Sequence, residues 1–242
     1  MHFSDSLNGW AVGSSGWIVR TNNGGQSWQG QNPGTLNVVN SVAFDDDQNG
    51  WVACSVGNVL STSDGGNQWS SITNYISNNL SGLHFFNSQT GCAVGDKGVI
   101  LRTDNGVTNR NSISSGTTRG LKDIYFPKGR YGWSVGEYGS ILHSADFGMT
   151  WTSQTSPSNF VFNSVYGLDS NHVWIAGGNG RILKSIDKGL TRVQHTTGTS
   201  NLLTSIYFID QEQGLDYRLE WNYSTYRQRR GELAITGEWY NQ

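Results

Sequence analysis

The chain has 242 residues, a formal net charge of −2 and only 14% charged residues. This balance excludes the basic face that nucleic-acid binding requires, so we predict no nucleic-acid partner. No apolar run reaches the ~18–20 residues of a membrane span, so we also predict no transmembrane segment.

The chain is built from a repeat. In the clearest copy, residues 132–151, two short apolar runs are joined by a glycine turn and followed by a Ser-x-Asp-x-Gly-x-Thr-Trp turn. One slot of the repeat recurs every 41 residues, at Gly9, Gly50, Gly91, Gly132, Val173 and Gly214. A period of about 40 residues with four short apolar runs is typical of a β-propeller blade.

Each repeat predicts four strands. In the second repeat they fall at residues 40–44, 51–56, 58–62 and 68–73. A lone four-stranded antiparallel sheet cannot bury both of its faces, whereas neighbouring sheets stacked around an axis can. We therefore predict an all-β propeller of four-stranded antiparallel blades, with six repeats visible, as one domain over residues 1–242.

The turn between the third and fourth strands is an Asp-box. Its Asp or Asn accepts N–H bonds within the turn, its glycines take positive φ, and a Trp follows. The Asp or Asn positions are Asn23, Asp64, Asn105, Asp146 and Asp187. We expect these five side chains to be structural. Arg110 and Arg192 replace the Trp in two copies, where we expect weaker outer strands.

The last 28 residues, 215–242, break the pattern, because they lack the glycine turn and the Asp-box and are rich in Arg. Codons can be chosen for this stretch so that reading them one base later gives the sequence GWITGWNGTILRTDNGGANWQ. That sequence is a sixth good copy of the repeat, in the same register. We hypothesise a degenerate or frameshifted last blade, with a one-base shift near Gln213. A divergent terminal segment is the alternative.

Neither metal nor disulfide chemistry is indicated. Cys54 and Cys92 fall at strand positions of different repeats, so we expect buried thiols. Asp45, Asp47 and Asn49 resemble the start of a calcium loop. The twelfth place, where that loop needs Glu, is Val56, so we predict no metal and no cofactor.

Catalysis is not indicated either. Paired carboxylates of a glycosidase must flank a cleft. The acidic residues here lie mostly in the turns of single repeats, as do Asp45, Asp64, Asp146 and Asp169. A sialidase-like arginine triad would need converging irregular loops, whereas Arg20, Arg102 and Arg181 occupy repeat slots. We predict a protein that is not an enzyme.

The unit GWAVG-x-x-G-x-I-x-x-T-x-D-G-G-x-x-W, whole at residues 9–28 and nearly so at 50–69, resembles the photosystem II stability/assembly factor propellers of the Asp-box (BNR) class. The resemblance implies a non-catalytic assembly factor that binds a membrane-protein complex or its assembly intermediate. It also implies an extracytoplasmic location: periplasm, thylakoid lumen or secreted.

Members of that family usually have seven blades and a leader. This sequence shows six repeats, no signal peptide, and a start inside a repeat. We therefore expect N-terminal truncation, with a fragment of a seven-bladed propeller as one interpretation.

One repeat slot holds Arg20, Ser61, Arg102, His143 and Lys184. In a closed propeller these would form a partly basic ring, and the resemblance implies an arginine-rich surface toward the partner. We therefore predict partner binding by Arg20, Arg102, His143 and Lys184. The alternative is that a charged residue caps the exposed end of a strand.

A second slot holds His2, Ala43, His84, Tyr125, Tyr166 and Tyr207, which line a surface near the axis or serve inter-blade packing. Two other functions remain open: a secreted sialidase-like or other carbohydrate-active propeller, and a generic extracellular interaction protein.

Overall fold

A computed structural model describes residues 1–72, 76–106, 111–127, 129–218, 223–229 and 232–236. These residues form β-strands and short 3-10 turns, arranged as six four-stranded antiparallel sheets whose strands follow one another in chain order. We call these sheets blades 1 to 6. The chain divides into two compact units, Met1–Leu121 and Lys122–Gln242, with three blades in each.

The first unit holds blades 1 to 3. Blade 1 comprises β1 (His2–Phe3), β2 (Gly9–Val12), β3 (Ile18–Thr21) and β4 (Gln29–Gln31). Blade 2 comprises β5 (Val39–Phe44), β6 (Gly50–Cys54), β7 (Val59–Thr62) and β8 (Ser70–Ile72). Blade 3 comprises β9 (Leu80–Phe85), β10 (Gly91–Gly95), β11 (Ile100–Thr103) and β12 (Asn111–Ile113).

The second unit holds blades 4 to 6. Blade 4 comprises β13 (Leu121–Tyr125), which starts at the last residue of the first unit, β14 (Gly132–Gly136), β15 (Ile141–Ser144) and β16 (Thr152–Ser153). Blade 5 comprises β17 (Phe162–Gly167), β18 (Val173–Gly177), β19 (Arg181–Ser185) and β20 (Val193–Thr196). Blade 6 comprises β21 (Leu203–Phe208), β22 (Gln213–Arg218), β23 (Tyr223–Arg229) and β24 (Glu232–Thr236).

Stacked aromatic pairs join neighbouring blades. In the first unit, Trp10 of blade 1 stacks on Phe44 of blade 2, with ring centroids 3.5 Å apart and planes 8° from parallel. Trp51 of blade 2 stacks in the same way on Phe85 of blade 3, at 3.8 Å. Within the first unit, neighbouring blades therefore bury apolar faces against each other, which a single blade cannot do.

Bulged asparagines also join the blades. The pairing of β5 with β6 shifts register between Val39 and Ser41, so Asn40 has no partner in the ladder. Its side-chain Nδ2 donates instead to the Leu80 carbonyl of blade 3, at 2.7 Å. Asn163 occupies the same slot in blade 5 and donates to Leu203 of blade 6, at 2.8 Å. The bulge thus redirects a side chain between blades.

The predicted strand ends in blade 2 need correction. The second strand ends at Cys54 because Ser55–Gly57 form a 3-10 turn, in which Val56 has a left-handed backbone with φ of 58°. The fourth strand begins at Ser70 because the Asp-box occupies the residues before it. The predicted end of that strand, residue 73, lies outside the described residues.

The last blade contains the strands β22, β23 and β24, which pair in sequence with β21. The described backbone therefore continues the four-stranded pattern into the stretch where the sequence pattern ends. The frameshift hypothesis and the single-domain assignment stay predictions. Arg110 also lies outside the described residues.

Both cysteines are buried free thiols, and burial raises the pKa of the Cys54 thiol to about 11. A raised pKa disfavours the reactive thiolate, so Cys54 is an inert core residue in β6.

Candidate binding site

The Asp-box side chains are engaged inside their own turns. Asp64 Oδ1 accepts hydrogen bonds from the Thr62 hydroxyl at 2.8 Å and from the Gln68 backbone N–H at 2.9 Å. These bonds, the one from Gln68 above all, hold the pKa of Asp64 below its ordinary value. Asn23, Asn105, Asp146 and Asp187 likewise accept a hydrogen bond from the Ser or Thr two residues before them.

The tryptophan that closes the Asp-box packs edge-on against the end of its blade's first strand. Trp69 meets Phe44 at 6.0 Å and 87°, and Trp151 meets Phe126 at 5.8 Å and 76°. In blade 5, Arg192 replaces this Trp, and its Nη1 donates to the Gly189 carbonyl at 2.9 Å. The Asp-box therefore anchors the hairpin to the core of the blade.

The slot predicted to bind a partner lies opposite the core tryptophans across the β-ladder. The ladders pair Trp10 with Arg20, Trp51 with Ser61, Cys92 with Arg102, Trp133 with His143 and Trp174 with Lys184. Paired residues of adjacent antiparallel strands present their side chains on the same face. Each residue of the slot therefore lies beside the residue it pairs with on the neighbouring strand.

Arg20 and Lys184 lie over indole rings. The Arg20 guanidinium carbon is 5.2 Å from the Trp10 ring centroid, and the Lys184 Nζ is 5.4 Å from that of Trp174. Both distances are within the range of a cation–π interaction. Each cation also donates to its neighbouring blade: Arg20 Nη1 to the Gly65 carbonyl at 3.3 Å, and Lys184 Nζ to the Gln211 carbonyl at 3.2 Å.

Arg102 and His143, the other two residues predicted to bind a partner, have surroundings different from those of Arg20 and Lys184. Arg102 faces Cys92, is 6% exposed, and its Nη1 contacts the Asp104 carboxylate. His143 packs on the Trp133 ring at 5.1 Å, and burial, together with the nearby cations Arg192 and Lys188, lowers its pKa. The lowered pKa favours the neutral imidazole of His143. Because Arg102 is buried, Arg20 and Lys184 are the part-exposed cations of the slot.

The second slot, predicted from His2, Ala43, His84, Tyr125, Tyr166 and Tyr207, packs between first strands. In the second unit, Tyr166 lies between Tyr125 at 5.0 Å and Tyr207 at 4.7 Å. In the first unit, burial lowers the pKa of His84 to about 4. In the second unit, the slot therefore contributes contacts between blades.

Asp123 is a part-buried carboxylate that the sequence did not single out. Its oxygens accept backbone N–H bonds from Ile124 at 2.8 Å and Val165 at 2.9 Å, and burial raises its pKa to about 6. The bond from Val165 connects β13 to β17, which indicates a structural role. Within the described ranges, no three potential metal ligands cluster, and no helix is long and apolar enough to cross a membrane.

Residues 1–73 and 30–104 match the family described as "Photosynthesis system II assembly factor YCF48". Together these two matches cover the first 104 of the 242 residues. This finding confirms the resemblance that the Asp-box units indicated.

Two similar solved structures come from the same family. One, described as YCF48 bound to D1 peptide, is 23% identical, with a TM-score of 0.52 over 89% of this chain and 86% of that one. The other, YCF48 from Cyanidioschyzon merolae, is 19% identical, with a TM-score of 0.52 over 90% of this chain and 91% of that one. They confirm the predicted β-propeller fold class.

Glycosidases share the fold at lower identity. A structure described as an ancestral GH74 enzyme is 12% identical, with a TM-score of 0.77 over 99% of this chain. The chain spans 38% of that enzyme and 44% of the GH74 xyloglucanase from Xanthomonas campestris, also 12% identical, with a TM-score of 0.75. No curated protein sequence matched the chain.

Proposed function

We propose that this chain is a non-catalytic protein-binding propeller that acts in photosystem II assembly by binding the D1 protein. The observation that carries the proposal is the family match over residues 1–104, together with the similar fold of a YCF48 bound to a D1 peptide. We further propose that it acts at a membrane-protein complex, outside the cytoplasm.

We further propose that the slot of Arg20, Arg102, His143 and Lys184 forms the contact with the partner. Arg20 and Lys184 carry the interaction, because each is part-exposed and holds its charge above an indole ring. Arg102 is buried beside Asp104, so it contributes mainly by supporting the turn.

The alternative is a GH74-like glycosidase, which the fold similarity alone raises. The carboxylates favour binding instead of hydrolysis. Asp64, Asp146 and Asp187 are hydrogen-bonded within their own turns, and Asp123 is held by backbone N–H groups. A glycosidase needs two carboxylates facing each other across a cleft.

Calorimetric titration of the full chain with a D1 peptide tests the proposal. We expect saturable binding, weakened about tenfold in the Arg20→Gln, Lys184→Gln double variant, because removing two contacts of about 0.7 kcal/mol each costs one decade of affinity. Glutamine keeps most of the side-chain length, whereas Glu at residue 102 would place a second carboxylate beside Asp104.

Lys97→Gln is the matched control, because Lys97 is an exposed cation in the turn after β10. It should bind like the wild type. An undetectable titration, or release of reducing sugar from xyloglucan by the wild-type chain, would contradict the proposal.

A further inference from the structure

The slot of Arg20, Ser61, Arg102, His143 and Lys184 holds a short, uncharged side chain in blade 2. Blades 1 and 5 place Arg20 and Lys184 over their core tryptophans, and blade 4 places His143 there. Blade 2 has Ser61 opposite Trp51. A serine side chain is too short to cover an indole ring.

Blade 1 shows what receives a guanidinium in this slot. The Arg20 side chain lies over Trp10, and its Nη1 donates to the Gly65 carbonyl at 3.3 Å. Its Nη2 donates to Asn8 Oδ1 at 3.4 Å. The Trp10 Nε1–H donates to the same Gly65 carbonyl at 3.1 Å. The receptor is therefore an indole face, a carbonyl and an amide oxygen.

Blade 2 repeats each of these groups 41 residues later. Trp51 Nε1–H donates to the Gly106 carbonyl at 3.2 Å, as Trp10 does to Gly65. Asn49 bonds to Asp46 through its backbone and its Nδ2, as Asn8 bonds to Asp5. The Asn49 amide is thus oriented like that of Asn8, with its Oδ1 directed away from Asp46.

A pocket of about 450 Å³ lies at these groups. Its lining includes Asn49, Trp51, Ser61 and Gly106, together with the Asp64 carboxylate. Among the lining residues that the structure describes, Asp64 is the one charged residue. Trp51 lines this pocket but is only 3% exposed, so its ring is reached through the pocket.

We propose that this pocket, the Trp51 pocket, binds the guanidinium of an arginine side chain supplied by a protein partner. The incoming guanidinium lies over Trp51 and donates to the Gly106 carbonyl and Asn49 Oδ1, with the Asp64 carboxylate nearby. The planar fork of arginine suits two separate oxygen acceptors, which the point charge of lysine does not match. The inference goes beyond the proposed function, because it assigns a cation-accepting site and does not depend on D1.

NMR titration of the full chain with N-acetyl-argininamide tests the site. The reported signal is the indole N–H of Trp51, assigned by its loss in Trp51→Phe. We expect a saturable shift of this signal in the wild type and no comparable shift of the Trp10 and Trp174 indoles. N-acetyl-citrullinamide, the neutral isostere, should bind at least about tenfold more weakly, since cation–π and charge contacts are lost.

Ser61→Arg supplies the missing side chain from the chain itself and should abolish the shift, whereas Ser61→Thr should preserve it. Three results would overturn the proposal. The first is no saturable shift of the Trp51 signal, and the second is an affinity for N-acetyl-citrullinamide or N-acetyl-lysinamide equal to that for N-acetyl-argininamide. The third is unaltered binding of N-acetyl-argininamide by a folded Ser61→Arg variant. The comparison of ligands needs only the wild-type chain, so it decides the question even if Ser61→Arg does not fold.

Discussion

At the scale of single residues, Asp123 shows how one part-buried carboxylate can make stability depend on pH. Its folded pKa is about 6, raised by burial from 3.8. The folded state therefore binds the proton more tightly than the unfolded state between those values. By linkage, this group's contribution to stability is largest below pH 4 and is lost as the pH rises through 6.

The Asp123→Asn variant isolates this effect. Asparagine carries no charge and keeps one oxygen for the backbone N–H of Ile124 or Val165. We expect the free energy of unfolding of the wild type, minus that of the variant, to fall between pH 4.5 and pH 7, by urea denaturation at each pH. Other carboxylates cancel in this difference. A difference that is flat or rises with pH would show that Asp123 is not buried as described.

The same repeat slot can hold residues of different roles, which limits what a single sequence reveals. Arg20 and Arg102 are the same residue type at equivalent positions of the repeat. Arg20 lies over an indole ring, while Arg102 faces a cysteine and contacts Asp104. The sequence does place Trp and Arg ten residues apart around a turn. That spacing indicates their cross-strand pairing once the hairpin register is known.

At the scale of the element, the blade depends on stacked aromatic residues from its neighbour. Phe44 is 5% exposed, stacks on Trp10 and meets the edge of Trp69. Phe3 occupies the same slot in blade 1 but is 40% exposed and contacts Trp28 at 6.1 Å. The slot is therefore a core position in blade 2 and a peripheral one in blade 1.

Phe44→Ala should lower the free energy of unfolding by about 3–5 kcal/mol, because it leaves a cavity between two indoles. Phe3→Ala, the matched control, should lower it by about 1 kcal/mol or less. Chemical denaturation of both variants measures the difference. Equal losses would show that the stack between blades 1 and 2 is not a main source of stability.

The sequence predicted the blades but not their exact strand ends. Constant spacing and alternating apolar residues fixed the four strands of blade 2. The turn at Ser55–Gly57 was predicted too short, because the apolar Val56 was assigned to the strand. Val56 instead adopts a left-handed backbone, which costs a non-glycine residue about 1–2 kcal/mol. The bulge at Asn40 was missed because only the partner blade explains it.

At the scale of the whole molecule, the repeat predicts the fold but does not by itself identify the function. A 41-residue unit that cannot bury its own faces predicts a propeller, and the comparisons confirm that class. The repeat does not name a partner, because the residues that recur in it serve the fold. The copies differ at the two sites proposed to bind a partner. These are the contact through Arg20 and Lys184, and the Trp51 pocket beside Ser61. The origin of the Arg-rich stretch 215–242 stays a prediction.

The measurement closest to the central claim is capture of D1 from solubilised photosynthetic membranes by the immobilised full chain, quantified by mass spectrometry. The Arg20→Gln, Lys184→Gln double variant, checked by circular dichroism to be folded, is the control. We predict enrichment of D1 over other membrane subunits by the wild type and about tenfold less D1 on the variant. Absence of D1 enrichment by the folded wild-type chain would contradict the account.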